Sequence, residues 1–88
     1  MDLVAVHPHA YKHGLTEGEI RSVWRNAFEW ARRDRADGAV EYVIVGADPR
    51  GRLVELVARS VGEDGYIVFH AMTPPSARTL RELGLGGR

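Results

Sequence analysis

The sequence predicts an α+β domain: an N-terminal helix packed on a three-stranded antiparallel meander, with a C-terminal helix on the same sheet face. Three observations lead to this reading. Thr16 and Glu19 make a capping box ahead of apolar residues at helical spacing. Three β-rich runs between residues 40 and 71 are joined by turns too short for a parallel crossover. Pro74 and Gly84 bracket a final short helical segment.

Taken in order, residues 3–6 (Leu-Val-Ala-Val) suit a short extra edge strand before Pro8, and residues 8–13 one helical turn ended by Gly14. The main helix is expected from Glu17 to Arg33. Leu15 and Ile20 sit at hydrophobic-staple positions, and Ile20, Val23, Trp24, Ala27, Phe28 and Ala31 form one apolar stripe. Glu17 and Glu19 in the first turn and arginines in the last match the helix dipole, and Asp37-Gly38 reads as the stop. The strands are Val40–Gly46, Arg52–Ser60 and Tyr66–Ala71, with turns at Asp48-Pro49-Arg50-Gly51 and Gly62-Glu63-Asp64-Gly65. Thr73 is placed to cap the last helix, with Pro74 in its first turn, Ala77 and Leu80 inward and Gly84 as its stop. Gly84-Leu85-Gly86-Gly87 reads as a frayed end.

At 88 residues the chain is one domain, 1–88, able to bury roughly 60–65% of its unfolded surface. Having no cysteine, it contains neither a disulfide framework nor a thiolate metal site, and a reducing, cytoplasmic setting is expected. Apolar runs reach about four residues, against the ~20 that span a bilayer, and no signal-like segment marks export. Twelve basic and twelve acidic residues cancel, which argues against strong non-specific binding to nucleic acid. Eleven of the twelve basic residues are arginine, and Arg25, Arg32, Arg33 and Arg35 crowd together as a candidate local basic patch.

The polar residues able to carry metal-free proton transfer are few. His70 lies on the third strand, where alternation puts it with Tyr66, Val68 and Met72. It reads either as a neutral-pH acid–base group or as a histidine capping the core. Glu55, on the middle strand beside Leu53 and Val57, reads as a base, as the group that orients His70, or as a partner of Arg59. Arg52 opens that strand, with a phosphate ligand and a plain surface arginine as its two readings. His13 precedes Gly14 and can end a helical turn or serve a site. His7, His9 and His13 have a spacing that metal ligands use, but no cysteine or well-placed carboxylate completes a set; neither metal nor cofactor is expected. Trp24 and Phe28 belong to the core stripe; Trp30 falls off it and suits a partner surface.

Lys12-His13-Gly14-Leu15-Thr16, the run Gly46, Asp48, Gly51, Arg52 and Glu55, and His70-Ala71-Met72 with Arg78 resemble the BrnT-like toxins of bacterial type II toxin–antitoxin systems. The similarity spans residues 11 to 81. It implies a RelE-like architecture, cytoplasmic endoribonuclease activity on RNA, and neutralisation by a cognate antitoxin protein. It also implies that Lys12, His13, Arg52, Glu55, His70 and Arg78 are the functional positions. A non-catalytic interaction module, a degenerate toxin or adaptor working through Trp30 and its arginines, is the competing reading. No membrane partner is expected, and a homodimer is left open.

Overall fold

The computed structural model describes residues 2–85, so the frayed-end reading is untested at Gly86 and Gly87, which lie outside the described residues. Strand β1 (Asp2–Val6) leads into a 3₁₀ turn (Pro8–Tyr11), after which Gly14 takes a positive φ of 89°. The capping box forms as expected: Thr16 Oγ1 accepts from the Glu19 N–H at 3.1 Å, and Glu19 Oε1 accepts from the Thr16 N–H at 2.8 Å. The staple residues Leu15 and Ile20 are both buried in the main core.

Helix α1 spans only Glu17–Arg25. It ends where the Asn26 N–H bonds the Ser22 and Val23 carbonyls, and Ala27–Asp34 continues as strand β2 instead of helix. The expected helical stripe is therefore wrong beyond Trp24. Period-2 alternation competes with period 3.6 in this stretch: Phe28, Trp30 and Arg32 alternate with Glu29, Ala31 and Arg33. Pairing decides between them, because β2 runs antiparallel to β3 (Val40–Ala47) over the whole stretch. Asp37-Gly38 is thus a hairpin turn rather than a helix stop. Gly38 has φ 85°, and Asp37 Oδ1 accepts from the Ala39 N–H at 3.0 Å. Phe28, assigned to the core from the stripe, is 53% exposed; Trp24 does pack against the core, and Trp30 is 59% exposed.

Strands β3, β4 (Leu53–Val61) and β5 (Gly65–Met72) form the expected antiparallel meander. It is extended on both sides into a mixed five-stranded sheet of order β1-β5-β4-β3-β2, with β1 parallel to β5. The fold class is α+β. One sheet face carries Ile44, Val54, Leu56, Ala58 and Val68 against Ile20 and Val23 of α1, which lies across β1, β4 and β3. An aromatic chain follows this face from Trp24 through Tyr66 and Tyr42 to Trp30, each ring centroid 5.6 Å from the next. On the other face lie Glu41, Val43, Val45, Glu55 and Val57, with both valines of β3 fully buried.

The last helix, α2 (Ala77–Glu82), belongs to that second face, since Ser76 bonds Glu55 and Glu82 bonds Arg33. The two helices therefore sandwich the sheet instead of sharing a side. The cap is Ser76, not Thr73: Ser76 Oγ accepts from the Thr79 N–H at 3.1 Å, while the Thr73 hydroxyl donates to the Leu53 carbonyl at 2.6 Å. Thr79 is the buried residue of α2, and Gly84 (φ 71°) follows the helix as expected.

The junction between α1 and β2 sits directly on Gly46 of β3. A Cβ built there would lie 2.7 Å from the Val23 carbonyl oxygen and 3.0 Å from the Ala27 Cα, both rigid backbone atoms. Gly46→Ala should therefore cost about 1–3 kcal/mol, the range for overpacking a tight contact. Denaturant unfolding that shows an alanine variant as stable as the parent would remove this contact as the reason for glycine.

Candidate functional site

The site is created by an irregularity in β5. Val68 pairs with Ala58, but the next pair across the ladder is His70 with Val57, which leaves Phe69 as an extra residue in a β-bulge. Simple alternation put His70 with Tyr66 and Val68, and that expectation fails here. Tyr66 and Val68 face α1, whereas the bulge shifts His70 and Met72 to the face of Glu55. There His70 Nε2 lies 2.8 Å from Glu55 Oε2.

Glu55 is 5% exposed, and its two oxygens are fully engaged. Oε2 meets His70; Oε1 accepts from both the N–H and the hydroxyl of Ser76, each at 3.0 Å. Burial pushes the carboxyl up, but hydrogen bonds from His70, Thr79 and Ser76 together outweigh it and hold the pKa down to about 2. Glu55 is thus an ionised acceptor at neutral pH rather than a base. An ionised carboxylate cannot donate, so the proton between the pair sits on His70 Nε2, and Nδ1 is the ring atom left for chemistry.

Of the six positions carried by the family resemblance, the structure gathers three. His13, in the exposed loop before α1, meets the His70 ring edge to face at a centroid distance of 5.6 Å. Its neighbour Lys12 is exposed. Arg52 turns elsewhere: it bonds Asp48 Oδ2 at 2.6 Å and lies 3.5 Å from Glu19 at the start of α1. It lies just before the first residue of β4, and its contact with Glu19 of α1 holds it on the side of the sheet away from Glu55. Arg78 projects from α2 with its side chain 75% exposed and pairs with Glu82 at 3.6 Å. Ser76 and Thr79 belong to the site and were missed. Their signal is Pro74-Pro75, which delays the helix start and leaves Ser76 as the first residue able to cap it.

Three of the four clustered arginines are held in ion pairs rather than forming a free basic patch. Arg33 pairs with Glu82 and Glu41, Arg35 with Asp37 and Glu41, and Arg32 with Asp34. The three N-terminal histidines also diverge. His7 stacks on Phe69, His13 meets His70, and among the described residues no group of three or more His, Cys, Asp or Glu is placed to hold a metal. On the α1 face an open groove of about 410 Å³ is lined by Trp24, Arg25, Ala27, Trp30 and Ile44. No described helix is long and apolar enough to cross a membrane. Comparison with known proteins adds no relative: no family model, curated protein or solved structure matches the chain.

The buried carboxylate gives stability a pH signature. Because the fold lowers the Glu55 pKa from 4.5 to about 2, its stabilisation is complete above pH 4.5 and is lost as pH falls toward 2. Glu55→Gln should lower the melting temperature at neutral pH, and the gap from the parent should close between pH 4.5 and 2. A gap independent of pH in melting curves would contradict the ionised assignment.

Proposed function

We propose that this chain is the toxin of a type II toxin–antitoxin pair, BrnT-like in residue pattern, acting in the cytoplasm as a metal-independent endoribonuclease. The observation that carries the reading is one imidazole oriented by a buried, ionised carboxylate with a second imidazole in contact with it. Two histidines suit transesterification of an RNA phosphodiester, which needs a base and an acid near neutral pH on either side of one phosphate.

His70 takes the ribose 2′-hydroxyl proton through Nδ1, and the 2′-oxygen attacks the adjacent phosphorus. The bond from phosphorus to the 5′-oxygen breaks, and His13 protonates that oxygen, leaving a 2′,3′-cyclic phosphate and a 5′-hydroxyl. Glu55 fixes the ring of His70 and stabilises its imidazolium, a positioning role. Lys12, beside His13, and Arg78, two residues beyond Ser76, are the cations suited to the charged phosphorane. Arg52 serves as a brace between the Asp48 turn and α1. Exposed Phe28 and Trp30 on edge strand β2 suit the antitoxin contact, remote from the dyad's face. The same aromatic edge favours the second reading, a non-catalytic interaction module.

Purified protein with a chelator present should cleave single-stranded RNA to cyclic-phosphate ends. His70→Ala and His13→Ala should each slow cleavage by about 10²–10⁴-fold, with circular dichroism unchanged, whereas Arg52→Ala should lower the melting temperature more than it lowers kcat. Intact RNA with the wild-type chain, together with normal growth on induction, would leave only the interaction module.

A further inference from the structure

The bulge that aims His70 at Glu55 also aims its neighbour. Phe69 stacks on His7 with ring centroids 4.7 Å apart and planes 27° from parallel. Four other ring contacts among the described residues are tilted or edge-on: 45° for Trp24 with Tyr66, 66° for Trp30 with Tyr42, 74° for Tyr42 with Tyr66 and 81° for His13 with His70. A near-parallel pair presents a flat outer face that a further ring can extend; an edge-on contact does not.

Several contacts hold this pair in place. The His7 N–H bonds the Val68 carbonyl at 2.8 Å, and His7 Nδ1 accepts from the His9 N–H at 3.1 Å. Pro8 between them has a fixed φ, so the ring is oriented before any ligand arrives. Behind Phe69, the Arg59 guanidinium carbon lies 4.8 Å from the ring centroid, and Glu41 holds that guanidinium at 3.6 Å. In the sheet order β5 lies between β1 and β4, so Phe69 is flanked by His7 from one neighbour and Arg59 from the other. Phe69 is half-buried and His7 exposed, so the imidazole is the outer layer of the stack.

The same two segments build both ring pairs. The loop from His7 to Gly14 supplies His7 and His13; the bulge supplies Phe69 and His70. Phe69 and His70 are consecutive residues of β5, with Cα atoms about 3.8 Å apart, so the two ring pairs are built on adjoining positions of one strand. We propose that the His7–Phe69 stack is the base-binding platform of this site, taking a nucleobase of single-stranded RNA onto the outer face of His7 while the adjoining phosphate lies at His70 and His13. This rests on the ribonuclease reading and deepens it. Stacking needs an unpaired base, which makes the substrate single-stranded, and it compensates for the missing net positive charge, because every base has a π-face to offer.

The test separates platform from catalysis by using a non-cleavable 2′-O-methyl trinucleotide and versions of it that are abasic at each position in turn. Titration followed by NMR should shift the ring signals of His7 and Phe69. His7→Ala should weaken binding roughly 5- to 150-fold, and His7→Phe should restore it. The alanine effect should vanish on one of the abasic ligands. With cleavable RNA, the same loss should fall on KM rather than kcat, which a general loss of stability would not produce. If wild-type protein cleaves RNA but His7→Ala binds the trinucleotide as tightly as the parent, the platform is overturned and the ribonuclease stands. If RNA stays intact while the trinucleotide still shifts His7 in a base-dependent way, the ribonuclease falls and the platform stands. No binding of the trinucleotide overturns the platform whatever the cleavage result.

Discussion

The structure depends on keeping one carboxylate charged inside it. A buried ionised group is tolerated only when its lone pairs are met by donors, and Glu55 obtains them from three residues in two separate parts of the chain. His70 comes from the neighbouring strand, while Ser76 and Thr79 come from the start of α2. Satisfying Glu55 therefore docks α2 on the second face of the sheet, joins β4 to β5 through their side chains, and fixes the ring of His70. Losing any one of these donors would leave a buried charge short of a hydrogen bond, so stability and the geometry of the dyad are coupled through a single side chain.

The bulge at Phe69 makes that arrangement attainable. Regular alternation would turn His70 toward the apolar layer under α1, where neither Glu55 nor water could meet it. One extra residue lets Val68 fill the core while His70 faces the carboxylate. A similar economy governs the arginines. Glu41 alone lies within 4 Å of Arg33, Arg35 and Arg59, and Glu82 takes up Arg33 and Arg78. Much of the arginine charge on the second face is thus taken up by internal pairing, and the groups left for RNA on the proposed reading are the histidines, Lys12, the exposed Arg78 and the stacked rings.

Much of the fold was legible wherever a local rule had no competitor. The Thr16–Glu19 capping box, the Leu15–Ile20 staple, the meander from β3 to β5 and the edge strand at the N-terminus all follow from patterns within about ten residues of chain. Residues 27–34 fit two periods at once, and the helical stripe was the wrong one because β3 was available as a pairing partner. The Phe28 misplacement follows directly from that choice. Within the candidate site, Glu55 and His70 were legible as a pair on adjacent strands. Ser76 was hidden because Thr73 offered an equally good cap two prolines earlier.

The sequence by itself determined the class, α+β, which polar side chains are available for a site, and the start of α1, since capping, turn chemistry and residue type act locally. Tertiary structure alone decided which of those side chains meet. The bulge, the strand identity of residues 27–34 and the side of the sheet taken by α2 each depend on partners far along the chain, and a one-residue shift in a strand reverses the face of everything after it. His70 joins Glu55 and His13, and Arg52 does not, for that reason.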